Sequence, residues 1–410
     1  MVQRVDELEL PEVDMIGTGR DEALRAMQDA AKQHWLARTP MGYLVTRHED
    51  VVALLRDRRF HSALSLIPQL AGIDDDQFLQ RRRQSILSME GDEHSRVRRI
   101  VSGAFTPRRA DRLRPFMRGV IARLVDAIAA QGHCELVADI CEPYPIPIIC
   151  ELLGAPPEDW KLFSDWATDI FRIFNNNLAE DMAAINQASQ DLDAYVRDLI
   201  NVRRRHPTDD LLSDLIAAEE QGDRLDTEEV VMLAEAVLMA GTDTTRNQLA
   251  CSVALFTQAP DQWRLLAENP ELAPRAVEET MRLLGAIRGT ARFASVDIEY
   301  RDVLFPAGTL VAASLAAANR DPKVWPVDDT LDITRESGPT QQVTFGSGIH
   351  YCLGAALARA ELQEALPLLA RRMPELTLDA PIEWKPATVG IWGPARLALR
   401  FDPVGATAPV

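Results

Sequence analysis

The chain has 410 residues, 47% of them apolar, which is ordinary for a globular protein and enough for a large buried core. Its net charge of −18 argues against nucleic acid or an anionic membrane surface as the main partner, because phosphate groups would be repelled. The sequence has no apolar run of about 20 residues and no basic-then-apolar N-terminus, so we expect a cytoplasmic protein.

Helical periodicity dominates the chain. Helices are predicted at 20–36, 48–56, 93–105, 109–131, 157–174, 180–205, 209–221 and 355–372. A further helix of about thirty residues begins at Asp226, which stands three residues before Glu229 in capping-box spacing, and stops before Pro260. Because this helix is apolar nearly all round from Val230 to Ala240, we expect it to be buried.

Strand-like segments are fewer than helical ones. They are predicted at 42–46, 298–303, 309–313 and 395–401, with a hairpin turn at 305–308. The pattern predicts a mainly α fold with a minor β portion. We expect a single domain over 16–402, with loose terminal segments at 1–15 and 403–410.

The chain contains five cysteines, an odd number with no CxxC pair, so we do not expect a disulfide framework. Four of them are expected to be small buried hydrophobic residues. These are Cys134, Cys141, Cys150 and Cys251.

The fifth cysteine, Cys352, lies in the sequence FGSGIHYCLG at 345–354, which we call the cysteine loop. Its glycines allow backbone conformations that other residues resist, and the predicted helix from Ala355 has a positive dipole end that favours an anion. We therefore expect a lowered pKa for the Cys352 thiol. The residues alone leave two roles open: a nucleophile with His350 as its base, or a metal or haem ligand.

The cysteine loop resembles that of the cytochrome P450 family, F-G-x-G-x-H-x-C-x-G, at every specified position. The resemblance implies a cytochrome P450 fold with heme b between the long helix and the helix after the loop. It implies that the Cys352 thiolate is the axial iron ligand and favours O–O cleavage, that His350 contacts a haem propionate, and that Phe345 packs near the sulfur. The cofactor-binding residues expected in the loop are Phe345, Gly346, His350, Cys352 and Gly354.

Glu279 and Arg282 form an E-x-x-R pair upstream of the cysteine loop. Alone, opposite charges at i,i+3 on a helix are typical of a surface ion pair. In this position they resemble the core ion pair of the family, with Arg335 as the third member. The resemblance implies a structural cluster that supports the cysteine loop.

His94 and Arg98 share one helical face at i,i+4 spacing. Without context such a pair is typical of a solvated basic face. It resembles the family's propionate-binding pair on the helix beside the haem, and Arg292 resembles another propionate-binding arginine. Charge-assisted hydrogen bonds make such contacts strong.

The middle of the long helix carries Ala240, Gly241, Asp243 and Thr244. A glycine there costs about 1 kcal/mol relative to alanine, and it is either a harmless kink or a sign that room is needed. The resemblance implies that Ala240 and Gly241 let the haem and O2 approach the backbone. It also implies that Asp243 relays protons from solvent, that Thr244 orients the water that delivers them, and that O2 rather than peroxide is the oxidant.

The resemblance places the distal substrate pocket along several segments, including the loop at about 62–88. Since most of these residues are apolar, we expect a hydrophobic substrate such as a terpenoid, steroid, fatty acid or aromatic compound. Arg288 is a candidate contact for a substrate carboxylate, and 175–177, where the family has its lid loop, are interpreted as a polar turn. The predicted pocket residues are Leu66, Ile86, Phe171, Phe174, Ala236, Ile287 and Trp392.

Because no flavin or reductase domain fits in the remaining chain, we expect electrons from a ferredoxin and a ferredoxin reductase, with NAD(P)H as ultimate donor. Arginines are concentrated on and after the helix expected beside the proximal haem face. We interpret them as a basic docking patch for an acidic ferredoxin, although an ordinary solvated face has the same pattern. They are Arg96, Arg99, Arg108, Arg109, Arg112 and Arg114.

These expectations combine into a monomeric monooxygenase that uses O2 and two electrons to hydroxylate a small hydrophobic substrate. A peroxide-driven haem-thiolate enzyme is a second interpretation, and Asp243 with Thr244 counts against it. A haem-based ligand binder is a third. A hydrolase using Cys352 and His350 is disfavoured, because their two-residue spacing does not let a nucleophile and base converge.

Overall fold

The computed structural model describes residues 2–14, 19–174, 178–220, 225–326, 329–336, 338, 340–386 and 390–404. Its helices are α1 Arg20–Gln33, α2 His48–Arg56, α3 Ile67–Leu70, α4 Asp76–Arg83, α5 Gly91–Val101, α6 Pro107–Ile128, α7 Pro145–Leu153, α8 Trp160–Ile170, α9 Leu178–Arg205, α10 Leu211–Glu220, α11 Thr227–Phe256, α12 Pro260–Glu268, α13 Ala273–Leu283, α14 Leu315–Ala318 and α15 Ala355–Arg372. None of these described helices combines the length and apolarity that crossing a membrane requires.

The strands are short and form the minor part of the structure. They are β1 Gln3–Arg4, β2 Leu36–Thr39, β3 Gly42–Val45, β4 Phe60–Ser62, β5 His133–Glu135, β6 Gly289–Ala294, β7 Ile298–Tyr300, β8 Val303–Phe305, β9 Leu310–Ser314, β10 Thr377–Leu378, β11 Glu383–Trp384, β12 Pro394–Arg396 and β13 Ala398–Arg400. The mainly α fold with a minor β portion is therefore confirmed.

The long helix α11 is the centre of the helical body. It begins with the predicted capping box, in which Asp226 accepts from the Glu229 N–H while the Glu229 side chain accepts from the Asp226 N–H. It packs against α7, α8, α9, α10, α13 and α15. Most of its residues are buried, because helices surround it on nearly all sides.

The main sheet has five strands in the order β2-β3-β9-β6-β4. β9 pairs in parallel with β3 and antiparallel with β6, so the predicted hairpin across 305–308 is wrong. The hairpin in this region joins β7 and β8 instead, through Arg301 and Asp302, whose φ values of 48° and 62° give the left-handed turn. Long-range pairing determines this sheet, and strand periodicity does not encode it.

The N-terminal segment differs from the loose segment expected over 1–15. β1 pairs in parallel with β8, and the side chains of Val5 and Val13 are 2% and 1% exposed. Burial of these apolar side chains fixes the segment to the sheets. At the other end, the Val404 N–H donates to the Ala129 carbonyl at 3.0 Å, and 405–410 lie outside the described residues.

Several helix boundaries agree with the periodicity, and some segments differ. α2 and α15 have the predicted bounds, and α11 spans 30 residues. The first helix ends at Gln33 because Leu36, fully buried, begins β2. α7 was not predicted, since Pro145 and Pro147 discourage a helix; both lie in its first turn, where proline is tolerated. The expected loop at 62–88 contains α3 and α4.

Candidate active site

The cysteine loop is a tight turn that follows the sheet and leads into α15. Gly346 and Gly348 have φ of 73° and 72°, in the left-handed region that favours glycine. A Cβ at Gly348 would collide with the Leu55 carbonyl oxygen near the end of α2. The Cys352 N–H donates to the Phe345 carbonyl at 2.9 Å and closes the turn. The backbone path of the loop therefore requires these glycines.

The Phe345 side chain anchors the loop to α15. The Arg359 guanidinium lies 4.4 Å from the centre of the Phe345 ring, in cation–π geometry. Arg359 also donates to Glu278 of α13 at 2.5 Å. Two helices thus hold the proximal side of the loop in place.

The structure brings Glu279, Arg282 and Arg335 together. Arg282 donates two hydrogen bonds of 2.8 Å to the Glu279 carboxylate, and Arg335 donates to it at 3.1 Å. Arg282 also donates to the carbonyl of Asn319, whose amide donates to Thr344 at 2.9 Å. Because Thr344 immediately precedes the cysteine loop, the buried ion cluster is connected to the backbone that carries the loop.

The Cys352 sulfur is surrounded by protein but retains accessible surface. Burial raises the pKa of its thiol, while the Gly354 N–H, Arg98 and Arg359 act in the opposite direction. The expected lowering of this pKa is therefore wrong for the protein alone, because burial outweighs the positive end of a helix that begins three residues later at Ala355. A bound metal cation reverses the balance, since a coordinating thiol is deprotonated.

Two histidines and an arginine meet beside the loop. The rings of His94 and His350 lie 4.7 Å apart. His94 is buried, and its Nε2 has no hydrogen-bond partner among the described residues. Burial, with the charges of His350 and Arg98, lowers the His94 pKa to about 4. Arg98, one turn later on α5, donates to the Tyr351 carbonyl next to Cys352.

The sequence interpretation missed Glu90, an acid in this cluster. Its carboxylate accepts from the Ser62 N–H at 2.6 Å and pairs with His350 Nε2 at 3.0 Å. Burial acts to raise the Glu90 pKa, but hydrogen bonds from His350 and Ser62 bring it below its usual value. Its charge also acts on Arg292. No local pattern relates Glu90 to His350, 260 positions later.

These cations fit the carboxylates of a haem. Burial lowers the pKa of both Arg98 and Arg292, and Arg292 donates to the neutral Thr290 hydroxyl and Ala291 carbonyl. Arg292 is buried and Arg98 half-buried, and the neutral His94 adds an Nε2 atom that has no hydrogen-bond partner among the described residues. Buried charges need partners, and two propionates would supply them.

The middle of α11 carries accessible residues. Ala240 is exposed and Thr244 partly exposed, although most residues of α11 are buried. Thr244 Oγ1 donates to the Ala240 carbonyl at 2.8 Å. α15, which begins three residues after Cys352, packs against α11, and Glu361 contacts Thr245 across that interface. The family fold implies that the haem lies between the accessible residues of α11 and Cys352, and we call that space the chamber.

Gly241 does not contribute to the chamber in the way expected. A Cβ at Gly241 would lie 2.6 Å from Cγ1 of Ile149 on α7. The glycine is therefore required by the close packing of α7 against α11, and Ala240 is the small residue on the accessible face. The space that a side chain at position 241 would need is occupied by Ile149.

Asp243 lies next to Thr244 in sequence but is turned away into the protein. It is 5% exposed and forms an ion pair with Arg246, one turn later. The Nζ of Lys385 approaches its other carboxylate oxygen at 3.9 Å, and Arg246 also faces Glu142 at 3.8 Å. Burial lowers the Lys385 pKa and Asp243 opposes that shift. Arg246 and Lys385 were not predicted, since this contact joins distant parts of the chain.

The predicted pocket residues have different environments. Leu66, Ile86, Ala236 and Ile287 are half-buried. Phe171 and Phe174 are stacked, with ring centres 5.9 Å apart. Residues 175–177 lie outside the described residues.

Trp392 belongs to the core rather than to an open pocket wall, which corrects its predicted role. It is 1% exposed, stacks on Trp384 at 4.6 Å and donates from Nε1 to the Lys385 carbonyl at 2.9 Å. Arg288, the candidate carboxylate contact, lies 4.9 Å from its ring. An indole that stacks on Trp384 and also contacts Arg288 has little surface left for a substrate.

Most of the proposed ferredoxin patch is already paired with acids. Arg96 pairs with Glu229; Arg109 with Asp209 and Asp214; Arg112 with Asp209; and Arg114 with Asp111 and Glu364. Arg99 and Arg108 are exposed, and no acid of the described residues pairs with either. The patch of six arginines is therefore reduced to these two.

Comparisons with known proteins agree with this geometry. The family model described as cytochrome P450 matches residues 158–373. The chain is 40% identical to nocardicin C N-oxygenase of Nocardia uniformis subsp. tsuyamanensis, over 88% of this chain and 89% of that protein. It is 42% identical to mycinamicin IV hydroxylase/epoxidase of Micromonospora griseorubida, over 84% and 86%.

A solved structure supports the fold independently. The structure of P450BioI in complex with an acyl carrier protein ligated with hexadec-9Z-enoic acid matches with a TM-score of 0.85 and 31% identity, over 93% of this chain and all of that one. Proteins of this kind are haem-thiolate monooxygenases that carry protoporphyrin IX. The chain belongs to the cytochrome P450 family.

Proposed function

We propose that this monooxygenase inserts one oxygen atom of O2 into a hydrophobic small molecule, using electrons from a ferredoxin and ferredoxin reductase. The second oxygen atom takes up two protons and two electrons and leaves as water. One observation carries the proposal: Ala240 and Thr244 are accessible in the otherwise buried middle of α11, and the exposed Cys352 precedes α15, which packs against α11. A thiolate iron ligand and a proton-handling alcohol on opposite walls are what this chemistry requires.

Cys352 would hold the haem iron through its thiolate, and heme b supplies O2 activation when bound. His94, Arg98, Arg292 and His350 would hold the two propionates. In this arrangement Glu90 orients His350 through its 3.0 Å contact. The cysteine loop, fixed by Gly346 and Gly348, presents the sulfur to the chamber.

Asp243 and Thr244 would manage the protons. Thr244 is partly accessible and has its hydroxyl on the Ala240 carbonyl, so it is placed to hold a water molecule in the chamber. Asp243 is held by Arg246 and Lys385 and must loosen one of these contacts before its carboxylate carries a proton to that water. This gives Arg246 and Lys385 a positioning role.

The relatives support a substrate class that is broad. They include an N-oxygenase and a hydroxylase/epoxidase, and the P450BioI structure holds a fatty acid on a carrier protein. For this chain, the half-buried apolar residues Leu66, Ile86, Ala236 and Ile287 together with the Phe171–Phe174 stack favour a hydrophobic substrate. Terpenoids, steroids, fatty acids and aromatic compounds all fit that description.

The identity of the iron ligand is tested by reducing the purified, haem-loaded protein under carbon monoxide. We expect a strongly red-shifted Soret band, which depends on a thiolate ligand. Cys352→Ser should lose this band, while Cys251→Ser, a buried cysteine elsewhere, should keep it. A normal red-shifted band in Cys352→Ser would contradict the assignment.

The oxidant is tested with the Asp243→Asn variant. If O2 and external electrons drive turnover, this variant should lose about 10- to 100-fold in ferredoxin-supported product formation, because general acid catalysis contributes this much or more. Turnover with added hydrogen peroxide should change little. Equal loss with both oxidants would favour a structural role for Asp243, and wild-type turnover that is faster with peroxide than with O2 and ferredoxin would favour the peroxide-driven alternative.

A further inference from the structure

Arg246 lies between two carboxylates that come from different elements. It pairs with Asp243, one turn earlier on α11, and one of its guanidinium nitrogens lies 3.8 Å from Oε1 of Glu142. Glu142 follows the short helical segment Val137–Cys141, which packs against α11. The side chains of Asp243, Arg246 and Glu142 are 7%, 14% and 34% exposed, so this row of charges runs from the interior toward solvent.

The carboxylate of Glu142 is held in place by α8. Ser164 Oγ donates to Glu142 Oε1 at 2.6 Å, and Ser164 is 2% exposed. The oxygen that accepts this hydrogen bond is also the one that faces Arg246. Because a carboxylate oxygen has two lone pairs, the bond from Ser164 orients Oε1 and leaves it able to accept from the guanidinium as well.

The gap between Arg246 and Glu142 is wider than a hydrogen bond but small for an arginine side chain. An N–H···O hydrogen bond joins atoms about 2.9 Å apart, so a shift of about 1 Å brings the guanidinium onto Glu142. Changes in side-chain torsions provide a movement of this size while α11 stays in place.

The local charges stay balanced during such a movement. Lys385 is the second cation of the cluster, with Nζ 3.9 Å from Asp243, and among the described residues it pairs with no other acid. The charges of Arg246 and Glu142 both act on the pKa of Lys385. Two carboxylates and two cations therefore remain together whether Arg246 binds Asp243 or Glu142, because Lys385 stays beside Asp243.

The proposed proton-carrying role of Asp243 is blocked while a guanidinium is bound to it. An opposite charge in contact keeps a carboxylate ionised, whereas a buried carboxylate that loses such a partner takes up a proton more readily. An arginine does not carry the proton itself, because a guanidinium stays protonated at neutral pH. Arg246 must therefore move away, and among the described residues Glu142 is the second acid that it pairs with.

We propose that Glu142 is a positioning residue for proton delivery, because it receives Arg246 and so frees Asp243. The freed carboxylate binds a proton from solvent and passes it to the water beside Thr244, after which Arg246 returns to the ionised Asp243. Glu142 acts through Arg246 alone and keeps its own charge throughout. The inference rests on the proposed monooxygenase function and deepens it by naming the event that releases the proton-carrying acid.

The first test compares turnover of haem-loaded wild type and Glu142→Gln, with a ferredoxin and its reductase and separately with hydrogen peroxide. Dodecanoic acid, 7-ethoxycoumarin and testosterone are the probes, and their binding is followed by the Soret spin-state shift. Ferredoxin-supported product formation should fall by about 3- to 10-fold in Glu142→Gln, because Arg246 loses its second acceptor. Probe affinity and peroxide-supported turnover should stay within about twofold of wild type.

The effect of Glu142 must pass through Arg246. In an Arg246→Met background, Glu142→Gln should cause no further loss of ferredoxin-supported turnover, since no guanidinium remains to be received. Losses that multiply in the double variant would overturn the inference, as would an equal fall of ferredoxin- and peroxide-supported turnover in Glu142→Gln. Glu151→Gln is the matched control, because it removes the same charge from an exposed position on α7 and should change neither activity.

A second measurement needs neither substrate nor turnover. Asp243→Asn removes the competing charge, so a crystal structure of this variant should show Arg246 within about 3.2 Å of Glu142. In urea unfolding, Glu142→Gln should raise the unfolding constant about 3- to 10-fold more in Asp243→Asn than in wild type. The excess should vanish in Asp243→Asn/Arg246→Met. An Arg246 that has not moved, or an equal effect in both backgrounds, contradicts the proposed role of Glu142.

Failure of this inference and failure of the monooxygenase function give different results. If Glu142 does not receive Arg246, wild type still shows the red-shifted carbon monoxide band and ferredoxin-supported turnover. If the monooxygenase function fails, wild type lacks one of those two properties, whatever the unfolding measurements show. The spectra under carbon monoxide are therefore recorded for wild type and Glu142→Gln before the turnover assays.

Discussion

At the scale of single residues, the site is built where packing constraints and chemical requirements fall on adjacent positions. On α11, Gly241 allows the close approach of Ile149, and Ala240 faces the chamber. Asp243 lies beside two cations, and Thr244 carries the accessible hydroxyl. Successive residues on a helix point about 100° apart, so one turn serves four neighbours. A single substitution on this turn of α11 therefore tests the contact with one neighbour and leaves the other contacts in place.

The Gly241→Ala variant tests the packing role of that glycine. Its Cβ would lie 2.6 Å from Cγ1 of Ile149, so we expect the free energy of unfolding to fall by about 1–3 kcal/mol, despite the better helix propensity of alanine. Urea unfolding measures this. The haem content of the folded fraction should stay unchanged.

The double variant Gly241→Ala/Ile149→Ala supplies the control, since alanine at 149 removes Cγ1 and Cδ1, two of the three atoms that the new Cβ would meet. The double variant should lose clearly less free energy of unfolding than the sum of the losses in the two single variants. If Gly241→Ala is as stable as wild type but loses haem, the glycine serves the cofactor and the packing explanation is wrong.

At the scale of elements, α11 and α15 pack against each other, and the contact between them contains a buried acid. The Glu361 side chain is 1% exposed, touches Thr245 and has one carboxylate oxygen without a hydrogen-bond partner among the described residues. Burial raises the Glu361 pKa to about 8, with Thr245 opposing the shift. Glu361 is therefore protonated at neutral pH. The interface between α11 and α15 is most stable when Glu361 carries no charge.

The stability of this interface should depend on pH in a defined direction. The Glu361 pKa is higher in the folded protein than in the unfolded chain, so stability is greatest below about pH 4.5 for this group and falls as pH rises toward 8. Glu361→Gln removes the penalty. We expect it to be about 1–3 kcal/mol more stable than wild type near pH 8.5, with a smaller gain near pH 6.

Glu364→Gln provides the comparison on the same helix. Glu364 accepts from Arg114 at 2.9 Å and from Arg118 at 3.0 Å, so losing its charge should lower stability at both pH values. Urea unfolding at each pH measures both variants. A Glu361→Gln gain that does not grow with pH would show that Glu361 is ionised in the folded protein.

The elements also show what sequence can and cannot provide. Helix length and capping follow from local pattern, so α2, α11 and α15 were predicted closely. The β9 strand was predicted closely, but its pairing was wrong because the partners β3 and β6 cannot be read from local pattern. α7 was missed because the prolines that open it discourage a helix elsewhere. The cysteine loop is a contiguous motif, whereas Glu90, Arg246 and Lys385 meet their partners only after folding.

At the scale of the whole molecule, the net charge of −18 bears on how electrons arrive. An acidic ferredoxin would be repelled by most of this surface, so productive docking needs a local cluster of free cations. The first turn of α6 contains no acid, and Arg108 stands there against the preference of a helix start for negative charge. Arg99 lies on α5, next to Arg98, which contacts the Tyr351 carbonyl beside Cys352.

The docking proposal predicts that reversing both free charges slows electron delivery. Arg99→Glu/Arg108→Glu should slow reduction of the enzyme by an acidic ferredoxin by about tenfold at low salt, and the difference from wild type should shrink as salt screens the charges. Stopped-flow reduction under carbon monoxide measures the rate directly. Arg112→Glu is the control. Arg112 already forms an ion pair with Asp209 at 2.8 Å, so this substitution should change the rate by less than about twofold. Equal slowing in both variants would mean that overall charge governs the encounter, whereas a specific loss at positions 99 and 108 places the donor beside the cysteine loop.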